Sequence, residues 1–385
     1  MLPLSLYIHI PWCIRKCPYC DFNSHKTPDI LPEDAYINAL IADLKTDLLT
    51  FPKKNIESIF IGGGTPSLFL ASSFDKLLSE INKLLNFADN IEITLEANPG
   101  TVEQKRFSDY RSLGINRLSL GIQSFNANKL KALGRIHDDN EAHNAIKTAR
   151  KVGFDNINID LMHSLPNQTI HEAIDDLQMG LNHEPEHLSW YQLTLEPNTV
   201  FYKKQPTLPS DDETVSIEEE GFNLLQNHNL NRYEISAFAK EGRQSRHNLN
   251  YWLFGDYFGI GAGAHGKLTS SSLEQIYRTR KHKQPKDYLN QDKSFISGND
   301  KISSDELIFE FMLNTTRLQQ AINNNLFFER TGLKFDNLLP KLHIAKTKGL
   351  ITINDSCWQV TNLGRQFTND LQEIFLPDNE SLSTK

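Results

Sequence analysis

Six short β-branched runs, each followed by a turn and then an amphipathic helical stretch, restrict what this chain can fold into more than any other feature. The runs are LSLYIHIP (4–11), SIFIGGG (58–64), IEITLEANPG (91–100), RLSLGIQS (117–124), INIDLMHSLP (157–166) and LSWYQLTLEP (188–197). Helical periodicity fills the gaps, as in EDAYINALIADLKTDLL and SFDKLLSEINKLL. DNEAHNAIKTARKVG opens on capping Asp residues and ends at Gly153, as a helix should. Strands joined through crossovers of this length pair in parallel, because a tight turn can only reverse the chain. Six such strands predict an α/β chain built on a partial (β/α)6 barrel rather than a closed eight-fold one.

A parallel barrel also dictates where its chemistry sits, on the turns that leave the C-terminal ends of the strands. Here those turns carry Cys13, Cys17 and Cys20, the glycines before Pro66, then Glu96, Gln123, Asp160 and Thr194. The repeat occupies residues 1–205 and then stops. Residues 206–300 read as a segment covering the site. It comprises an acidic linker and helix (PTLPSDDETVSIEEE), a strand (RYEISAFAK) and the loop-rich SRHNLNYWLFGDYFGIGAGAHG. Residues 301–385 read as a mostly helical, winged-helix-like module with a small hairpin, LITINDSCWQVT. Arg278, Arg280, Lys281 and Lys283 read as a solvated loop, and Cys357 as a small buried hydrophobe.

Charge and hydropathy remove several classes of function. The formal net charge of −8 provides no basic field for nucleic acid, which argues against RNA modification. No stretch approaches the roughly 18 apolar residues of an integral membrane segment. The apolar start, MLPLSLYIHIPW, lacks the basic flank and cleavage site of a leader and alternates like a strand. A cytoplasmic location follows as the expectation, and in that reducing compartment clustered cysteines favour metal over disulfides.

Three cysteines spaced C-x3-C-x2-C lie on one loop after the first strand. A four-iron cubane normally takes four thiolates, so three protein ligands leave one iron open. The competing arrangement is a zinc site completed by His9 or His25, although the second distant pair usual for zinc is missing.

That spacing directly after a first strand resembles the signature of the radical S-adenosylmethionine (SAM) superfamily. The resemblance implies a 4Fe–4S cluster on Cys13, Cys17 and Cys20, with the open iron chelating SAM. The turns suit this physically. GGGTP lets backbone approach the methionine end closely, Glu96 can accept from ribose hydroxyls or an ammonium, and Arg135 can clamp a carboxylate. Gln123 and Asp160 would lie near the adenosine. In order, YIHIPWC, CPYCDF, GGGTPS, LEANPG, SLGIQSF and LGRIH resemble the oxygen-independent coproporphyrinogen III oxidase group. Against that group Tyr7, Gly63, Gly64, Thr65, Glu96, Gln123, Arg135, Asp160 and Thr194 match SAM-holding positions.

Two departures point to one branch. Phe22 stands where the oxidase has a further cysteine, and the chain starts almost at its first strand. Both match the HemW-type heme chaperones, which implies binding heme and passing it to acceptor proteins such as respiratory enzymes. An electron-donor protein, a homodimer and peripheral membrane association during delivery go with that expectation. RHNLNYW resembles the heme-associated motif of that branch, with His247 as an iron ligand and Tyr251 and Trp252 as flat faces for a porphyrin. The alternative for the same residues is a helix cap and core packing. GIGAGAHG reads as a lid, with His265 a second candidate ligand. The alternative function is oxidative decarboxylation of coproporphyrinogen III.

Overall fold

The computed structural model describes residues 2–51, 55–100, 104–270 and 275–377. Each of the six runs forms a strand: β1 (Leu4–Ile10), β2 (Ile56–Gly63), β3 (Phe87–Ala97), β4 (Arg117–Gln123), β5 (Ile157–His163) and β6 (His187–Gln192). They pair side by side in chain order, all parallel. The crossovers carry α1 (Glu33–Thr50), α2 (Ala71–Leu84), α3 (Phe107–Ser112), α4 (Ala127–Ala132), α5 (Asp139–Lys151) and α6 (Ile170–Leu181). Asp138 and Glu141 form a reciprocal capping box at the start of α5, so the polar residues that open that stretch fix where the helix begins.

The period-2 alternation of the strands separates two layers. Leu6, Ile8, Ile59, Ile61, Leu95, Leu118, Leu120 and Ile159 are buried in one core with Tyr36, Leu40, Phe74, Leu77, Ile146 and Leu177 of the helices. Each such side chain contributes about 1.5–3 kcal/mol on burial. The intervening residues face inward and, Phe60 apart, are mostly polar, unlike the branched apolar layers that usually fill a parallel barrel. Ser5 bonds Ser58 at 2.7 Å, Ser119 donates to Asp160 at 3.0 Å, and His187 bonds Asn158 at 2.6 Å. The outer layer therefore holds the fold together, and the inner one is free to carry chemistry.

The middle segment adds to both edges of this sheet. After α7 (Asp211–Asn227), β7 (Asn231–Arg232) and β8 (Ala237–Ala239) extend it antiparallel beyond β6. The helix α8 (Arg246–Trp252) packs against β1 and β2. β9 (Asp256–Ile260) then pairs parallel with the free side of β1, giving a seventh parallel strand. β10 (His265–Thr269), β11 (Ile276–Lys281) and β12 (Ile296–Lys301) follow antiparallel.

Two loop expectations fail here. Part of the glycine-rich stretch expected as a lid is β9 and the turn after it, where Tyr36 Oη accepts from the Ala262 N–H at 2.8 Å. The basic run lies largely in β11. Arg278 pairs Glu310, and Lys281 is fully buried against Asp43 and, at 2.8 Å, Asp47.

Residues from Ile302 to Phe375 bury a second core around Phe311, Met312, Phe327, Leu342 and Trp358. It joins α9 (Ser304–Thr315), β13 (Ile322–Asn323), α10 (Asn324–Thr331), α11 (Leu339–Thr347) and the hairpin of β14 (Ile351–Ile353) with β15 (Cys357–Val360). Cys357 is only partly buried, at the hairpin turn, where its thiol meets Asn354. Among the described residues no helix is long and apolar enough to cross a membrane.

Candidate functional site

The turns at the C-terminal ends of the strands enclose a cavity of about 400 Å³, within the range of small-molecule sites. One wall is the loop after β1. Its ends are zipped by a short parallel pairing of Trp12–Cys13 with His25–Lys26. Between them Cys13, Cys17 and Cys20 all line the cavity, unoxidised. Burial pushes the Cys13 and Cys20 thiols up, so without a metal both stay protonated at neutral pH. His9 is no free ligand for zinc: its ring nitrogens engage the Tyr7 hydroxyl and the Asn23 carbonyl, each at 2.8 Å.

The adjoining wall is the turn after β2. Gly63 has φ +114°, and a Cβ there would lie 2.5 Å from the His9 ring. At Gly64 a Cβ would meet the Trp12 carbonyl oxygen at 2.4 Å. The Gly64 and Thr65 amides donate to the carbonyls of Ile10 and Trp12, both at 2.7 Å. The glycines thus let this turn stack directly on the cysteine loop.

Glu96, Gln123 and Asp160 reach the cavity from β3, β4 and β5. Glu96 accepts the Gly63 N–H at 3.0 Å, and burial together with Asp160 raises its carboxyl to about 8. Burial likewise raises Asp160, against the hydrogen bonds from Ser189, Asn158 and Ser119. Gln123 sits at φ +71°, held by the Tyr191 hydroxyl at 2.7 Å. Arg135 lies beside the cysteines. Its Nη1 is 3.8 Å from Cys17 Sγ, and its Nη2 donates to Asn98 Oδ1 at 2.8 Å and to the Gly121 carbonyl at 2.6 Å.

Gly63, Gly64, Thr65, Glu96, Gln123, Arg135 and Asp160 therefore come together with the three cysteines. Two expected residues stand apart. Tyr7 lies deeper, within ring contact of Phe60 and His247, and Thr194 is exposed beyond the end of β6. Tyr191, Asn98 and Ser119 line the cavity without having been singled out. Strand alternation was the signal available for Tyr191, since Trp190 is buried outside and its neighbour must point in.

His247 closes the far end of the barrel. It is 1% exposed, its Nδ1 lies 3.2 Å from Ser58 Oγ, and its Nε2 lies 2.8 Å from the Tyr251 hydroxyl. Glu92 accepts the backbone N–H groups of Arg246 and His247. Burial lowers the imidazole to about 3. Trp252 stacks under the Arg317 guanidinium at 4.2 Å. His265 is exposed at the start of β10.

The residues present fit a cubane cluster and SAM. Three soft sulfur donors share one side of the cavity, which suits iron–sulfur ligation. The glycine turn packs against the cysteine loop beside them, and a partly buried guanidinium and two partly buried carboxyl groups line the same cavity, within reach of a zwitterionic, cationic ligand.

Residues 7–179 match the Radical SAM superfamily, and residues 302–367 match the HemN C-terminal domain. The heme chaperone HemW of Haemophilus influenzae is 50% identical over 98% of both chains. The heme chaperone HemW of Escherichia coli is 47% identical over 98% of this chain and 99% of its own. The structure of coproporphyrinogen III oxidase (HemN) from Escherichia coli, a radical SAM enzyme, superposes with a TM-score of 0.82. That match covers 97% of this chain and 90% of the other at 23% identity.

Proposed function

This chain belongs to the HemW family of the radical SAM superfamily, and on that premise we propose that it binds heme and hands it to acceptor proteins. The observation that carries the reading is the near-full-length identity to relatives named as heme chaperones. The match to the oxidase, at 23% identity, speaks for the fold alone.

Cys13, Cys17 and Cys20 would hold the 4Fe–4S cluster. Gly63, Gly64, Thr65, Glu96, Gln123, Arg135 and Asp160 would hold SAM, with Arg135 on its carboxylate and the carboxylate side chains on its polar hydrogens. Bound together, the two cofactors supply one-electron reduction chemistry at the strand ends, fed by an electron-donor protein. The chain's own contribution is to fix the cysteine loop, exclude water and keep Arg135 charged beside Cys17. In the conformation described, His247, Tyr251 and Trp252 close the barrel floor. Contact between His247 and heme iron would require α8 to give up the bonds to Ser58, Tyr251 and Glu92.

An anaerobic assay tests the reading. The cluster-reconstituted protein is incubated with reductant, SAM and coproporphyrinogen III, in parallel with a hemin titration followed at the Soret band. Unchanged coproporphyrinogen with saturable heme binding is expected. Loss of two carboxyl groups per tetrapyrrole without heme binding would replace the reading with the oxidase.

A further inference from the structure

Electrons must reach the cluster from outside, and the exposed surface around the cysteine loop is charged to receive what brings them. We propose that this surface docks an acidic one-electron carrier protein; the proposal rests on the cluster reading above and adds where the donor sits and what holds it.

Three segments pack on the loop and make one surface with it. The turn from α4 to α5 meets it at Pro18, whose Cδ would lie 2.9 Å from a Cβ on Gly134. The short helix Val200–Lys203 is tied to the same proline, its Phe201 N–H donating to the Pro18 carbonyl at 3.0 Å. The chain leaving β11 is held by Asn23, whose side-chain amide donates to the Lys283 carbonyl at 2.9 Å.

The charge of this surface opposes that of the chain. The formal net charge is −8, yet Arg15, Lys16 and Lys26 stand exposed on the loop, and Lys131, Lys203 and Lys283 on the segments around it. Over residues 13–26, 131–138, 200–204 and 281–283 the exposed carboxylates are Asp21 and Asp138. The Lys16 ammonium is held over the loop by the carbonyls of Phe22 and Ser24, at 3.1 and 3.4 Å. Inside this basic rim Ile14, Phe22, Ile136 and Val200 are 51%, 60%, 62% and 55% exposed, and Ile14 and Ile136 share a pocket. Apolar side chains within a polar rim are the anatomy of a protein-docking surface.

The position selects the partner. Cys17 and Cys20 are partly exposed on the same loop, so a carrier seated here stands against the cluster's own ligands. One electron leaves the carrier and enters the cluster, with no atom transferred. A second copy of the chain fits poorly, because a two-fold axis would set the basic rim against itself.

The test uses the full chain with its cluster reconstituted, and a plant-type ferredoxin, an acidic one-electron carrier, as the probe. Calorimetry gives its Kd, and stopped flow the rate at which it reduces the cluster. Reduced methyl viologen serves as a small donor that needs no docking. In the triple variant Lys26→Glu, Lys131→Glu, Lys283→Glu, ferredoxin affinity and rate should both fall at least tenfold at low salt, while the dye rate holds. Ile136→Glu alone should weaken ferredoxin binding as well. Reversing Lys334, Lys346 and Lys348 on the C-terminal module changes the net charge equally and should leave both values within about threefold. Equal losses in the two triple variants, or unaltered ferredoxin affinity in the first, would overturn the docking surface and leave the cluster standing. Unaltered ferredoxin affinity joined to a lost dimer, or to lost binding to phosphatidylserine vesicles, would give the face to a second copy or to a membrane instead. Failure of methyl viologen to reduce the unaltered protein would overturn the cluster reading itself.

Discussion

Arg135 Nη1 lies 3.8 Å from Cys17 Sγ, while Nη2 of the same guanidinium is tied to Asn98 and Gly121. One planar cation thus joins the cysteine loop to the turn after β3 and to the backbone of β4. A lysine has a single point of charge and cannot reproduce that fork. Arg135→Lys should therefore weaken SAM binding by about 1.5–3 kcal/mol, the worth of a hydrogen bond to a charged group, or roughly ten- to a hundredfold. Calorimetry on the cluster-loaded protein checks this; an unchanged Kd would remove Arg135 from the site.

Replacing Cys17 with Ala should abolish the broad visible absorbance of the reconstituted cluster and lower the bound iron, with the far-ultraviolet circular dichroism unchanged. Full iron content and an unaltered spectrum would refute the ligand assignment.

Glu96 gives the site a pH dependence whose sign is fixed. Its carboxyl stands at about 8 in the folded protein, against an ordinary value of 4.5, because burial and Asp160 penalise the charge. The folded state then holds the proton more tightly than the unfolded chain. The contribution is stabilising at low pH and is lost as pH rises from about 4.5 to about 8. The SAM-free protein should show a falling Tm across that window, and Glu96→Gln should flatten it. A cationic ligand favours the carboxylate, so SAM binding at pH 7 should release a proton, read as a dependence of calorimetric enthalpy on buffer ionisation heat. A buffer-independent enthalpy would contradict the assignment.

Lys281 is buried against two carboxylates, Asp43 and Asp47. Lys281→Met leaves both without their counter-ion and should cost about 3–5 kcal/mol, the usual effect of removing one partner of a buried ion pair. Adding Asp43→Asn should recover part of the loss. A denaturant midpoint that stays put in the single variant would show that the pair does not anchor β11 to α1.

These particulars mark where the sequence was readable. The six barrel strands announced themselves through period 2 against period 3.6, and the site through polar residues recurring at the strand ends. β9 stayed hidden because its region is glycine-rich. The fold shows why the glycines are there: a Cβ on Gly259 would lie 1.9 Å from the His265 carbonyl oxygen, and one on Gly261 2.3 Å from the His9 carbonyl oxygen. Lys281 looked solvated because its partners lie more than 230 positions away in the chain, beyond any local pattern.

The central claim is that this protein carries heme in order to give it away, and transfer measures that directly. The cluster-bearing protein, loaded with one equivalent of heme and freed of excess, is mixed with an apo-hemoprotein such as apomyoglobin, and the Soret band is followed over time. Passage of the heme to the acceptor, faster than from hemin held by serum albumin and dependent on the intact cysteine loop, is the predicted result. Heme that never binds, or that leaves no faster than from the albumin control, would contradict it.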